Sequence, residues 1–587
     1  MDVNSTVLDE VAKKQLLFGW LDFTLFTLML ALSTLIGIYF GFWGKEEDTP
    51  KEYLHGGKKM NTAPVAVSLM SSMLSGIMMM GIPTEMYLYG TLYWLGILSI
   101  LPVGVITDFF YLPVFYELQL TSTYEYLQLR FSPRVRVMAS VLSTIGLLLY
   151  MPIVTYVPAL AFSQVSGLNI HIITPAILII CVFYTMLGGI KAVVWTDFLQ
   201  GLVMVVSMLT TITLGVINVG GFGVVWERCR LGGRIRIFEF DPSPFVRMTF
   251  WSSTIGHSFI FIAVISVSQS MVQKFMSLPT LRSARTSLYL FLVQAVCVMS
   301  MSCFTGLLVY SKYYDCDPTK SKMISRPDQI LPYYVMDIAS SVPGLPGLFV
   351  AGIFSASLST ISSNLNSLGA TLFEDFVRPC IKQKISDHRA NVLIKCVVIV
   401  IGGLCLAFVM VVDKLGAVLQ LCLRMQGVTY GAMIGLFSMG MFYPRANTKG
   451  ALAGSICSLL VMGWLVFGSQ KEMAEGRMRD VSLPTSVDGC GFNVTMPEQP
   501  PTMASVEEDD VFILYRLSML YYALTGTLIV LVVGIIVSHF TEEPSPEQSK
   551  PVLFTPLVRK YIVEKKRRKT TYNNHIPETE LLNKPWE

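Results

Sequence analysis

The chain has 587 residues, of which 53% are hydrophobic and only 14% are charged. Soluble globular proteins carry about 25% charged residues, so this chain has too few ionic side chains to cover a water-soluble surface. The composition excludes an ordinary soluble, disordered or fibrous protein and predicts an all-α integral membrane protein in a lipid bilayer. The net charge of +4 is mild and does not indicate a nucleic-acid partner.

Apolar spans follow one another along most of the chain, and a membrane-crossing helix needs about 20 such residues. We expect thirteen transmembrane helices, at residues 19–43, 64–87, 91–113, 135–160, 170–187, 193–219, 248–272, 286–310, 346–373, 393–412, 415–442, 449–467 and 513–540. The first span is too long for a signal peptide, so we interpret it as a retained helix.

The orientation follows from lysine and arginine, which concentrate in cytoplasmic loops. With residues 1–18 outside the cell, most basic residues fall inside, including Lys274, and loop 220–247 with its five arginines is the exception. Loop 468–512 is then extracellular, and 541–587 is a cytoplasmic tail that is either solvated or attracted to anionic lipid. We expect a multi-pass protein of the plasma membrane.

Two further patterns concern the predicted outer loops. Both Asn-x-Ser/Thr sequons, at Asn4 and Asn493, fall outside, which agrees with this orientation and predicts glycosylation. Three cysteines, Cys229, Cys316 and Cys490, lie in polar loops. If these loops are extracellular, one disulfide is possible and one thiol remains.

Two spans that start five spans apart carry runs of small polar residues. Span two contains Ser71, Ser72, Ser75 and Gly76 at its middle, and span seven contains 252–257 near one end. Interrupted helices at corresponding positions predict two inverted five-helix repeats with a binding site between them. Close helix packing is the alternative role for small residues.

Span nine carries a polar stripe along one helix face, formed by Ser355, Ser359, Ser362 and Asn366, with Ser363 close by. Hydroxyl and carbonyl oxygens are suitable ligands for Na+, and their lack of full charge lets the ion leave again. Hydrogen bonds between helices are the alternative explanation of the serines.

Ionisable groups at membrane depth are rare and are candidates for function. Asp197 either caps a helix N-terminus or binds a cation. His257 is either a neutral hydrogen-bonding partner or a substrate contact. Arg424 needs a partner, which could be Asp108, backbone carbonyls or an anionic substrate. The six histidines and isolated carboxylates form no catalytic cluster, so we do not expect an enzyme.

Six ordered stretches carry a resemblance to a known family. They read LPVFYELQLTSTYEYLQLRF (112–131), YTMLGGIKAVVWTDFLQ (184–200), SQSMVQKFMSLP (268–279), CDPTKSKMISRPDQILPYYVMD (316–337), GLFVAGIFSASLSTISSNLNSLGATLFEDF (347–376) and GLFSMGMFYPRANTKGALAG (435–454). Together they resemble the eukaryotic sodium/solute symporter family, and most closely its monocarboxylate, multivitamin and iodide branch.

The resemblance implies a leucine-transporter-like fold and alternating access driven by the sodium gradient. Inverted repeat 1 would cover 64–219 and inverted repeat 2 would cover 248–442. The first helix, 19–43, precedes the repeats, and two additional helices lie within 449–540. The cotransported ion would be Na+ and the other partner a small organic solute, and no obligate protein partner is evident.

The resemblance also implies the ion sites. The main sodium site would use carbonyl oxygens of Ser71, Leu74 and Ala356 and the hydroxyls of Ser359 and Thr360. A possible second sodium site would use Asp197 and Ser363.

The implied substrate positions depart from the sugar-carrying members of the family, because Met78, Phe261 and Val264 are apolar. With Gln269, and with His257 and Arg424 as further candidates, they predict a partly apolar solute, such as a monocarboxylate or vitamin-like anion, and not a sugar. The alternative function is a sodium-gated solute sensor or leak conductance that uses the same fold without coupled transport.

Overall fold

In the computed structural model, the described residues are 18–44, 49–339, 342–381, 385–412, 418–478, 480–490, 511–541 and 550–574. They form helices and connecting turns with no β-strand among them, as the composition predicts. The helices are α1 (Trp20–Phe42), α2 (Pro50–His55), α3 (Thr62–Met73), α4 (Gly76–Tyr89), α5 (Thr91–Leu118), α6 (Thr123–Arg130), α7 (Pro133–Ser166), α8 (Ile170–Val219), α9 (Phe222–Leu231), α10 (Ser252–Val267), α11 (Gln269–Met276), α12 (Leu281–Lys312), α13 (Ile330–Ile338), α14 (Leu345–Cys380), α15 (Asp387–Val412), α16 (Val418–Phe442), α17 (Thr448–Ala474), α18 (Tyr522–Phe540) and α19 (Pro556–Asn574).

The described helices account for the thirteen expected spans. Nine are long and apolar enough to cross a membrane, and the count is eleven when the bent pairs α3–α4 and α10–α11 are each taken as one span. Helix α8 has 50 residues and holds two spans that join at Gly189, where φ is 55° and ψ is −150°. Helix α16 covers the position of the expected span 415–442 but is not among the helices counted as long and apolar enough. Gly189 has the conformational freedom this junction needs, and a Cβ there would lie 2.5 Å from the Tyr53 carbonyl oxygen.

Helix α14 lies at the centre of the bundle. In its most apolar stretch 94% of the residues are buried, against 22% for α1. It packs on α8, α7, α3 and α1, so its polar side chains face other helices instead of lipid. The predicted hydroxyl stripe is therefore inside the protein.

The two interrupted spans bend by 55° between α3 and α4 and by 46° between α10 and α11. The first break falls at Leu74 and Ser75, within the predicted run. In span seven the small residues 252–256 form a π-helical turn, and the bend lies farther along at Ser268, where ψ is 137°. The expected position of the break in span seven, near 252–257, is wrong because a wide π turn accommodates those residues without a bend.

The five arginines of loop 220–247 have partners in the structure. Two of them donate to backbone carbonyls: Arg228 to that of Ser311 and Arg234 to that of Tyr87. The other three donate to carboxylates: Arg230 to Glu227, Arg236 to Glu239 and Arg247 to Glu85. Arg228, Arg234 and Arg247 thus attach the loop to α12 and α4, whereas the other two arginines pair within the loop. These contacts give the arginines a structural role on the side where the orientation rule does not expect basic residues.

A disulfide joins Cys316 to Cys490 and so links the loop after α12 to the segment after α17. Cys229 is the remaining loop thiol. It is buried, and this burial raises its pKa to about 12. The two sequons, at Asn4 and Asn493, lie outside the described residues.

The C-terminal tail is packed against the bundle where the structure describes its first part. Leu553, Phe554 and Thr555 are buried, and Arg559 forms an ion pair of 2.6 Å with Glu117. The expectation of a wholly solvated or lipid-attracted tail is therefore wrong for this part, because its apolar residues find a place on the helix ends.

Candidate sodium and solute site

The break in span two exposes backbone oxygens inside the protein. Leu74 has φ −89° and ψ 82°, which ends α3. The Ser75 N–H then donates to the Met73 carbonyl and the Met78 N–H to the Ser75 carbonyl. A continuous helix would direct these two N–H groups to the carbonyls of Ser71 and Leu74. Both predicted carbonyl ligands thus lose their regular donors.

Helix α14 presents two hydroxyls to this break. Ser359 Oγ lies 3.0 Å from Ser71 Oγ. Thr360 Oγ1 lies 3.1 Å from the Ser72 carbonyl oxygen and 3.0 Å from that of Ala356. Ser359 and Thr360 of the predicted main sodium site therefore lie against the end of α3, next to the break at Leu74.

A glycine allows this close crossing. A Cβ built on Gly76 would lie 2.0 Å from Ser357 Oγ and 3.3 Å from the Ile353 carbonyl oxygen. A Cβ at position 76 would require the Ser357 hydroxyl to rotate away and the Ile353 carbonyl to shift slightly, so glycine permits the closest approach of α4 to α14. The sequence places this glycine directly after the break, where it brings the broken helix against the hydroxyl pair.

The two residues of the possible second sodium site also meet. Ser363 Oγ donates to Asp197 Oδ2 at 3.1 Å, and the Ser68 and Ser72 hydroxyls donate to the same oxygen at 2.7 and 3.0 Å. Ser362 Oγ lies 3.4 Å from Asp197 Oδ1. Asp197 is fully buried inside α8, several residues past the junction in that helix, so the helix-cap alternative is wrong.

Lys274 is a residue of this site that the sequence analysis assigned to a cytoplasmic loop. Its ammonium lies 2.8 Å from Asp197 Oδ2 and 2.9 Å from the Ser68 carbonyl oxygen. The side chains of Lys274 and Asp197 are 1% and 0% exposed. The loop assignment is wrong because α11 continues span seven through Lys274. Apolar neighbours on both sides, in VQKFM, were the available signal.

A cavity opens beside Thr360 of the hydroxyl pair. The predicted substrate residues Met78, Phe261, Val264 and Gln269 line it, together with Thr360 of the sodium site. Polar lining residues that were not expected from the sequence include Tyr124, Tyr150, Asn364, Gln426 and Thr429. Most of the wall is apolar, and these few polar groups could orient a ligand.

Gln269 is held in place by the first residue of α6 and by the turn before it. Its Oε1 accepts from the Thr123 N–H at 2.7 Å, and its Nε2 donates to the Thr121 carbonyl at 2.9 Å. Gln269 therefore links the start of α11 to this segment at the edge of the cavity.

His257 and Arg424 are not among the residues that line this cavity. The His257 ring packs on Tyr93, with ring centres 4.8 Å apart, and its Nδ1 lies 2.8 Å from the Ser253 carbonyl oxygen. Its contacts among the described residues are thus those of a packed helix residue.

Arg424 lines a separate cavity with Arg247 and Arg516. Its guanidinium bonds Ser469 at 3.1 Å and lies 3.7 Å from Asp480. The suggested partner Asp108 is wrong, because Asp108 pairs instead with Arg285 at 2.7 Å.

The family comparison gives a decisive match, since the model of the Sodium:solute symporter family covers residues 53–458. The chain belongs to the sodium:solute symporter family. This symporter is similar to the sodium-coupled monocarboxylate transporter 2 of Mus musculus, with 38% identity over 94% of this chain and 88% of the mouse protein. It is also 36% identical to a putative sodium-dependent multivitamin transporter of Drosophila melanogaster, over 87% of this chain and 85% of that protein.

Among solved structures, the symporter resembles a Na+-coupled sialic acid symporter in a substrate-bound outward-open state. The TM-score is 0.72 at 24% identity, with 90% of this chain and 99% of that chain covered. This likeness confirms the leucine-transporter-like fold that the resemblance implied. The relatives are transporters and not enzymes, and the chain is a multi-pass membrane protein.

Proposed function

We propose that this symporter imports a small monocarboxylate or vitamin-like anion together with sodium, by alternating access across the plasma membrane. The observation that carries the proposal is the meeting of Ser359 and Thr360 with the break in span two, directly beside the cavity. The names of the relatives support the choice of solute.

The main sodium ion would lie among the carbonyls of Ser71, Leu74 and Ala356 and the hydroxyls of Ser359 and Thr360. Carbonyl and hydroxyl oxygens suit a hard cation, and unwound carbonyls of broken helices bind Na+ in transporters of this kind. Because these oxygens belong to both the broken helix and α14, the ion would stabilise the arrangement in which the two are in contact.

The solute would bind in the cavity beside this ion. Met78, Phe261 and Val264 would contact its apolar part, and the polar groups of Asn364, Gln426 and Thr429 would orient its polar end. A bound cation next to the cavity would also favour an anionic solute, because the opposite charges attract across a site with little water.

The transport cycle would use 64–219 and 248–442 as inverted repeats. We propose an extracellular N-terminus, glycosylation of Asn4 and Asn493, and a cytoplasmic C-terminus. The disulfide between Cys316 and Cys490 supports this orientation, because disulfides persist on the oxidising side of a membrane.

The test is uptake of a labelled panel of lactate, butyrate, biotin, pantothenate, iodide and glucose, with sodium or with choline outside. We expect sodium-dependent accumulation of at least one organic anion and none of glucose. Solute-evoked current without accumulation of any label would instead establish the sensor or leak conductance.

A further inference from the structure

The ammonium of Lys274 occupies the position that a cation bound to Asp197 Oδ2 would take. It is within hydrogen-bond distance of Asp197 Oδ2, the Ser68 carbonyl and the Ser72 hydroxyl. These are a carboxylate, a carbonyl and a hydroxyl, the same oxygen types that would hold a sodium ion.

One oxygen of the Asp197 carboxylate already accepts several hydrogen bonds. Its Oδ2 accepts from the hydroxyls of Ser68, Ser72 and Ser363 and from Lys274, whereas Oδ1 has Ser362 at 3.4 Å. A carboxylate has about four acceptor positions over its two oxygens. A sodium ion on Oδ2 would have to displace at least one of these donors.

The charges of Lys274 and Asp197 also argue against a second sodium ion at Asp197. Lys274 and Asp197 form a neutral pair, and both are buried. A second sodium ion at Asp197 would lie next to the ammonium and repel it in a medium of low dielectric constant. Removal of the ammonium would leave a buried carboxylate that needs a new cation.

We propose that Lys274 is a built-in cation that takes the place of a second sodium ion at Asp197, so that the protein binds one sodium ion per solute. This inference rests on the proposed function for the ion at Ser359 and Thr360. With one sodium ion and one monovalent anion bound, the load carries no net charge, and transport moves no net charge across the membrane.

Ser72 connects the pair to the main sodium site. Its hydroxyl donates to Asp197 at 3.0 Å, and its carbonyl accepts from Thr360 at 3.1 Å. Lys274, on α11, thus links Ser72 of α3 to Asp197 of α8 from within the protein.

The test counts sodium ions on the purified full-length protein with radiolabelled Na+ at saturation. We expect one ion on the wild type, two on Lys274→Gln, in which Asp197 is left without its ammonium, and one on Lys191→Gln. The last variant is the matched control, because Lys191 is a partly buried lysine paired with Glu52 away from this site.

Two ions on the wild type would overturn the proposal, and so would an unchanged count in Lys274→Gln. If Lys274→Gln does not fold, the wild-type count still decides, since the proposal allows only one ion. If the main site binds no sodium, the wild type binds none and Lys274→Gln binds one. The difference between the two proteins therefore tests Lys274, whereas the wild-type value tests the proposed function.

Discussion

Thr360 on the central helix donates its hydroxyl to the carbonyl of Ser72, 3.1 Å away at the end of α3. This bond joins the broken helix to the helix that carries the hydroxyl stripe. The same two residues line the cavity. Ion and solute would thus share one wall, and this is the geometric basis for coupling their binding.

The first prediction concerns the crossing at Gly76. We expect Gly76→Ala to destabilise the purified protein by roughly 1–3 kcal/mol, the usual cost of overpacking, because the new Cβ would overlap Ser357 Oγ. The measurement is the melting temperature in detergent. Adding Ser357→Gly should recover part of the lost melting temperature. A double variant that melts no higher than Gly76→Ala would argue against this contact.

The second prediction concerns the ion pair of Arg247 and Glu85, which are 2.6 Å apart with Glu85 buried. Arg247→Met should cost about 3 kcal/mol, because it leaves a buried carboxylate without a partner. The melting temperature should recover when Glu85→Gln is added. Arg230→Met is the control, since its pair with Glu227 is exposed and should matter little. Equal effects of the two arginine variants would contradict this account.

The third prediction concerns cysteine chemistry. The intact protein should show no maleimide labelling at Cys316 or Cys490 until it is reduced, and Cys316→Ser should lower the melting temperature. Cys457→Ser is the control because Cys457 is not disulfide-bonded. Buried Cys229, with its raised pKa, stays a protonated thiol at pH 7 and should remain unlabelled in the folded protein. Its rapid labelling at pH 7 would be the contrary result.

The fourth prediction concerns the apolar wall. Met78→Ser should raise the half-saturation concentration for butyrate about tenfold, equivalent to 1.4 kcal/mol of binding free energy, and should affect the more polar lactate less. Concentration-dependent uptake of both solutes measures this. Met323→Ser, at an exposed methionine outside the cavity, is the control. An equal change for both solutes would show that Met78 does not contact their apolar part.

The sequence predicted the features that depend on local composition. Apolar runs located the spans, and helical periodicity placed Ser359, Ser362 and Ser363 on one face of span nine. The break near Ser75 followed from small polar residues in an apolar segment. Each of these patterns can be seen within a few turns of one helix.

The features that could not be predicted from the sequence depend on contacts between distant segments of the chain. The local sequence places Lys274 in a loop, because it does not show that α11 brings this residue to Asp197, 77 residues away in the chain. Arg424 lies in a separate cavity through its contacts with Ser469 and Asp480, both of which come from segments after it. Such pairings follow from the packing of whole helices.

The most direct test of the central claim is sodium-driven solute accumulation in proteoliposomes that contain the variant Ser359→Ala/Thr360→Ala. The account predicts that this variant folds and reconstitutes like the wild type but needs at least about tenfold more sodium for half-maximal uptake, because two oxygen ligands are lost. Ser355→Ala, on the same helix and outside the cavity, should behave as wild type. An unchanged sodium dependence in the double variant would contradict the site.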